Sequence, residues 1–283
     1  MRAWLVVAVA GCGRISFDPS SDPPTDGSAC TLGAWSTPVE IAEVSSPQDD
    51  WEPTISSDGQ RLVFSSNRDG ALHLYMATKL GTGAFSTPAP IDPLTTAMTE
   101  YGPAWFGNER LYFDRGTTTI ELHTSEYDGA TFSPASPVAE LVGETVEAPA
   151  ISSDEREMFF STNFELRRAT RPTNSAAWTL AGAVTELRSG GGEAYPTLSR
   201  DGLVIYFESD RANAMGDIYV ASRPSIGAPF ANVAPVTELN ESGANVGTSD
   251  PDLSADGRTM VLASRRPGGT GSWDIYVSER DCL

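Results

Sequence analysis

One phrase recurs five times in this 283-residue sequence and limits what it can fold into. It reads EPTISSDGQRLVFSSNRDGALHLYMAT from Glu52, GPAWFGNERLYFDRGTTTIELHTS from Gly102 and APAISSDEREMFFSTNFELRRAT from Ala148. It returns as YPTLSRDGLVIYFESDRANAMGDIYVAS from Tyr195 and DPDLSADGRTMVLASRRPGGTGSWDIYVS from Asp250. The prolines that mark it, Pro53, Pro103, Pro149, Pro196 and Pro251, stand 50, 46, 47 and 55 residues apart. A unit of this length cannot bury its apolar face alone, so the copies must stack into an array or close into a ring.

Each copy parses the same way. A short strand follows the proline. Five residues after it comes Asp58, Asn108, Asp154, Asp201 or Asp256, in three copies followed by Gly, which suits a hairpin turn. The second strand is a continuous apolar run (LVF, LYF, MFF, VIYF, MVL), as expected of a strand covered on both faces. A third strand follows a loop of variable length. A separate phrase opening at Trp35, Phe85, Phe132, Trp178 and Phe230 supplies a fourth, and its prolines confine it to a sheet edge. Four strands at a period near 50 predict an all-β, five-bladed propeller of four-stranded antiparallel blades. The Trp35 segment precedes the first proline phrase and the last phrase has no fourth strand after it. An N-terminal strand therefore closes the ring, with the propeller over residues 34–283.

Composition agrees with a folded, turn-rich body. The chain is 40% hydrophobic, with 26 Gly and 20 Pro, which argues for many turns and few long helices. Nineteen basic against 38 acidic residues give a charge of −19, and such a surface repels nucleic-acid phosphates. Residues 1–12 have a different character: Arg2, an apolar run from Ala3 to Ala10, then Gly11 and Cys12. The run is too short to span a bilayer but suits a secretory signal. Val9-Ala10-Gly11-Cys12 resembles the bacterial lipoprotein cleavage box. The resemblance implies a lipidated Cys12, a secreted protein anchored in the bacterial periplasm or outer membrane, and membrane contact through the lipid alone. Residues 13–33, rich in Pro, Ser, Asp and Gly, read as a tether. With Cys12 given to lipid, Cys30 and Cys282 flank the two strands that meet at the ring seam. They are expected to form a disulfide, which an oxidising compartment permits.

The full phrase, strongest over residues 53–76, 196–219 and 251–276, resembles the WD-like repeat of TolB-type propellers. That resemblance implies the fold and says little about function, because the repeat serves scaffolds, binding proteins and some peptidases. It leads to the expectation of a monomeric, non-catalytic binding or scaffold module at the cell envelope, with a protein or glycan partner and no cofactor. The alternatives are a carbohydrate-active hydrolase using axial carboxylates, or a Tol–Pal-like envelope component.

Three groups of side chains are singled out. Asp50, Glu100 and Glu193 lie three residues before the proline column, with Glu147 and Asp250 within two positions of it. These five are expected to ring one mouth of the axial channel, where they would hold a ligand or a hard cation such as calcium. Trp51, Tyr101 and Tyr195 would add aromatic contacts there. Arg68, Arg211 and Arg266 follow second strands, with Asp217 and Asp274 opposite on third strands, and are expected to brace the blades. His73 and His123 have no partner at metal-ligand spacing, and no catalytic residue and no metal set is assigned.

Overall fold

A computed structural model describes residues 30–243 and 245–283. The signal and Cys12 lie outside the described residues, as does nearly all of the tether. The architecture is the expected five-bladed propeller, with a four-stranded antiparallel sheet in every blade. Strand β1 (Val39–Glu40) comes first in the chain. Blade I is β2 (Asp50–Ile55), β3 (Arg61–Ser66), β4 (His73–Thr78) and β5 (Ala89–Pro90). Blade II is β6 (Thr99–Phe106), β7 (Arg110–Gly116), β8 (Ile120–Glu126) and β9 (Ser136–Pro137). Blade III is β10 (Glu147–Ile151), β11 (Glu157–Thr162), β12 (Glu165–Thr170) and β13 (Thr179–Ala183). Blade IV is β14 (Glu193–Leu198), β15 (Val204–Ser209), β16 (Asp217–Ser222) and β17 (Ala231–Pro235). Blade V is β18 (Thr248–Leu253), β19 (Thr259–Ser264) and β20 (Asp274–Glu279), completed by β1.

The five innermost strands, β2, β6, β10, β14 and β18, each neighbour the next around the axis, and β18 returns to β2. The apolar second strands of the sequence phrase are buried along nearly their whole length. Their side chains form five clusters, one at each blade–blade interface. Phe64 and Tyr75 of blade I, for example, pack with Val261 and Ile275 of blade V. The Ser-x-Asp of the repeat is explained by the first hairpin. Ser56, Ser152, Ser199 and Ser254 donate to Asp58, Asp154, Asp201 and Asp256 at 2.6–2.7 Å. The same hydroxyls accept the first backbone N–H of the second strand at 2.9 Å. A side chain thus satisfies the backbone where the ladder begins.

The ring closes between β1 and β20, with Val39 opposite Val277 and Glu40 opposite Tyr276. Just outside this pair, Leu32 bridges to Cys282, and Cys30 is disulfide-bonded to Cys282. The bond encloses a loop with a sequence separation of 252 residues, and it locks a seam whose own strand pairing is short. Chain-entropy arguments assign such a loop about 5 kcal/mol. Cys282→Ser is therefore expected to lower the thermal midpoint by about 10 °C or more relative to the oxidised protein in a calorimetric scan. An unchanged midpoint would show that β1 holds the seam unaided.

Candidate active site

The innermost strands share one irregularity. In each, the residue before the column proline and the proline itself face a single residue of the second strand, forming a β-bulge. The first bulge residue is left-handed in all five blades: Glu52 (φ 51°), Gly102 (57°), Ala148 (48°), Tyr195 (49°) and Asp250 (53°). Only one of the five is glycine, so the other four carry the steric cost of that conformation. At Gly102 a Cβ would come within 2.2 Å of Asp114 Oδ2, which is why no side chain fits there.

The bulge turns a backbone N–H toward the preceding blade, and polar side chains meet it. Glu52 N donates to Asp250 at 3.2 Å and Gly102 N to Glu52 at 2.8 Å. Ala148 N donates to Asp114 at 2.8 Å and Tyr195 N to Ser161 Oγ at 3.0 Å. These acceptors, together with Glu208 and Glu147, gather five carboxylates at one end of the axis: Glu52, Asp114, Glu147, Glu208 and Asp250. Ion pairs among the described residues involve other acids.

Burial without a counter-cation drives all five carboxyl pKa values upward. Their environments are unequal. Asp114 is fully buried, its Oδ1 without a hydrogen-bond partner, and burial followed by the charges of Glu52 and Glu147 raises it well above the usual range. Glu52 is raised by burial, although Ser65 Oγ (2.6 Å) and Gly102 N donate to it. Glu208 is pushed up by burial to about 7, with Asp210 and Asp217 adding to the effect. Ser249 Oγ lies against both Glu208 and Asp250 Oδ1, the latter at 2.8 Å. A hydroxyl has one hydrogen, so satisfying both contacts requires a proton on one of these carboxyls. Deeper along the axis, Asp252 accepts from Thr54 Oγ1 (3.0 Å), Ile55 N (2.9 Å) and Thr197 Oγ1 (3.2 Å). Burial still raises it to about 6.

The axial channel is a narrow cavity of about 120 Å³ lined by the bulge and proline residues of all five blades. Its carboxylate end opens into three adjoining lobes. One, of about 210 Å³, is lined by Glu52, Tyr101, Glu147, Tyr195 and Phe164. A second, of about 340 Å³, lies among Trp51, Trp273, Glu52, Glu208 and Asp250. The third, of about 370 Å³, runs between Gly191, Gly192, Asp210, Glu208 and Phe164. The two larger lobes fall at the lower end of small-molecule site volumes, roughly 300–1,000 Å³. Trp51, Tyr101 and Tyr195 thus reach the mouth, joined by Phe164 and Trp273.

The expected ring of five equivalent acids is not formed. Glu147 and Asp250 belong to the mouth, whereas Asp50, Glu100 and Glu193 are buried inside their blades as partners of arginines. Arg68 meets Asp50 at 2.7 Å, Arg115 meets Glu100 at 3.1 Å and Arg211 meets Glu193 at 3.3 Å. His73 shares Glu100 at 2.7 Å. Each of these arginines also donates to a backbone carbonyl closing the turn before the innermost strand: Val44, Leu94 or Leu187. Arg266 does the same with Leu239 O at 2.8 Å. The braces therefore exist with different partners. Asp217 accepts from Asn213 at 3.1 Å, and Asp274 from Gly271 N at 2.9 Å. The reason is register: an acid three residues before the proline points into its own blade, whereas Glu147, two before it, and Asp250, at the bulge, face the axis. Among the described residues no set of three or more His, Cys, Asp or Glu is arranged to hold a metal ion.

No protein-family model matches the sequence, and comparison with curated proteins finds no match. The fold has many counterparts among solved structures. The catalytic domain of the GH62 α-L-arabinofuranosidase from Coprinopsis cinerea superposes with a TM-score of 0.62 at 12% identity, covering 88% of this chain and 97% of that one. A glycosyl hydrolase from Bacteroides ovatus superposes at 0.60 and 10% identity, covering 87% and 94%. TolB of Acinetobacter baumannii superposes at 0.49 and 14% identity over 84% of this chain and 56% of that one. These likenesses are to the fold. They correct the expectation that the chain is not an enzyme: the propeller is one on which glycoside hydrolases are repeatedly built. The even carboxylate ring expected from the sequence, whose equivalent acids would lack the differentiated environments that catalysis needs, is absent.

The upward shifts fix a pH dependence of stability. A carboxyl more easily protonated when folded contributes stability below its unfolded pKa, and that contribution is lost as pH rises through the folded value. Glu208 at about 7, with Asp252 and Asp274 at about 6, places the loss between pH 4 and 7. The thermal midpoint should fall from pH 5 to pH 8, and Asp252→Asn should reduce that fall. A midpoint that rises over the same interval would contradict the buried-acid description.

Proposed function

We propose that this protein is a carbohydrate-active hydrolase working at the axial mouth, exported and anchored through a lipidated Cys12. The observation that carries the reading is the group of five uncompensated carboxylates in unequal environments. Glycosidic hydrolysis needs one carboxyl that holds its proton and a second that is ionised. Glu208, raised to about 7 and lining the two larger lobes, is suited to donate a proton to a leaving-group oxygen at neutral pH. Glu52 lines the lobe of about 340 Å³, the central lobe, and is oriented by Ser65 and Gly102. It is suited to act as the second carboxylate, on water or on the sugar. Asp250 holds the Glu52 backbone and shares Ser249 with Glu208, so it positions both. The aromatic residues around the mouth suit the apolar faces of sugar rings, and the acidic lining disfavours uronic acids and other anionic glycans.

The test is release of chromophore from a panel of neutral aryl glycosides between pH 5 and 8. Activity should fall as pH rises through about 7, when Glu208 loses its proton. Glu208→Gln and Glu52→Gln should each lower kcat by about 100-fold or more. Asp58→Asn, in the turn at the other end of the blade, should leave it unchanged. No hydrolysis of any glycoside, or full activity in Glu208→Gln, would contradict the reading.

A further inference from the structure

We infer that the mouth takes an extended, neutral oligosaccharide, with sugar units on both sides of Glu208 and one unit stacked on Phe164. The inference rests on the hydrolase reading and adds the substrate class. Its first support is the uneven wall around the mouth. The loops between second and third strands, which rise on this face, span residues 67–72, 117–119, 163–164, 210–216 and 265–273. Blades IV, V and I therefore raise long loops, bringing Met215, Trp273 and Leu72 over the central lobe. Blade III has only a two-residue turn, and blade II is nearly as low. A wall high on one side and low on the other makes a cleft open at its edge, suited to a chain that runs on beyond the reacting unit.

The second support is Phe164. It is 62% exposed at the tip of that short turn, yet it lines all three lobes. The backbone that carries this exposed ring is pinned in place. Asn163 and Phe164 both have positive φ, 52° and 58°, as a two-residue hairpin turn of the mirror-image type requires. Phe164 O accepts from Glu193 N of the next blade at 2.8 Å. Gly192 passes so close that a Cβ there would lie 3.1 Å from Phe164 Cβ. A left-handed backbone is unfavourable for a bulky residue, so the site holds an aromatic where asparagine or glycine would fit with less strain. A ring carried on a pinned backbone loses less freedom on binding than one on a mobile loop.

The third support is the position of Glu208, which lines the central lobe on one side and the Gly191–Asp210 lobe on the other. A bond protonated there has space for sugar on both sides. Asp210 adds negative charge to the Gly191–Asp210 lobe, which disfavours anionic units.

Binding rather than turnover tests this, so that it can fail independently of the hydrolase reading. Full-length protein is titrated calorimetrically with neutral xylo-, manno- and cello-oligosaccharides of one to six units. Affinity should increase with length through at least three units for one of the series. Phe164→Ala should weaken the longer ligands by about 10-fold, in line with the loss of one aromatic stacking contact, and leave the monosaccharide unaffected. Phe164→Tyr should restore the length dependence, and Phe164→Gly, which relieves the positive φ, should fold and behave as Phe164→Ala. Length-independent binding, no binding by any series, or an unaltered profile in Phe164→Ala would overturn the inference. Length-dependent binding without hydrolysis would instead overturn the enzymatic reading and leave this one standing.

Discussion

A backbone N–H turned out of its own sheet must find an acceptor, and this constraint recurs in the innermost strands. The bulge before each column proline puts one residue in the left-handed region, and in blades I to IV the freed N–H is taken by a side chain of the blade before it. Blade-to-blade contact at the axis is therefore polar, whereas contact farther out is the apolar packing of the second strands. The axis must carry acceptors, and in this chain most of them are acids.

The functional reading follows from an excess over that need. A serine suffices to hold Tyr195 N, so carboxylates are not obligatory for the task. Yet Glu52, Asp114 and Asp250 do this work elsewhere, and Glu147 and Glu208 join them with no arginine or lysine paired to any of the five among the described residues. The contrast with Asp50, Glu100 and Glu193 is informative. Those acids stand nearby and each receives an arginine. The sequence thus supplies cations where an acid is structural and withholds them at the mouth. Uncompensated buried acids cost stability, and strain of this kind concentrates where chemistry or binding uses it.

The fold was legible in the sequence because its period is carried by residues with one structural meaning. Proline marks the bulge, Ser-x-Asp the first hairpin, and a three-residue apolar run the covered strand. The offset of the fourth-strand phrase gave the closing strand, and the two cysteines at the seam gave the disulfide. The site was legible only in part. Glu147 and Asp250 were found, but the acids three residues before the proline were read as their equivalents, because a bulge inverts strand alternation and no periodicity announces it. A signal for Asp114 and Glu208 was present: they interrupt the runs LYFD and IYFE at the position held by Ser65, Ser161 and Ala263. Glu52 shares the bulge column with Asp250. Phe164 carried no signal, since its role depends on the shortness of one loop and the height of the others.

The central claim is that the axial mouth holds carboxylates without compensating charge, one of them protonated at neutral pH. Carbon-13 NMR of carboxyl-labelled glutamate, with the Glu208 resonance assigned through Glu208→Gln, measures this directly. A midpoint for Glu208 near pH 7 is the predicted result. A midpoint near the ordinary glutamate value, about 4.3, would mean that the mouth is solvated or paired, and the account of the site would not stand.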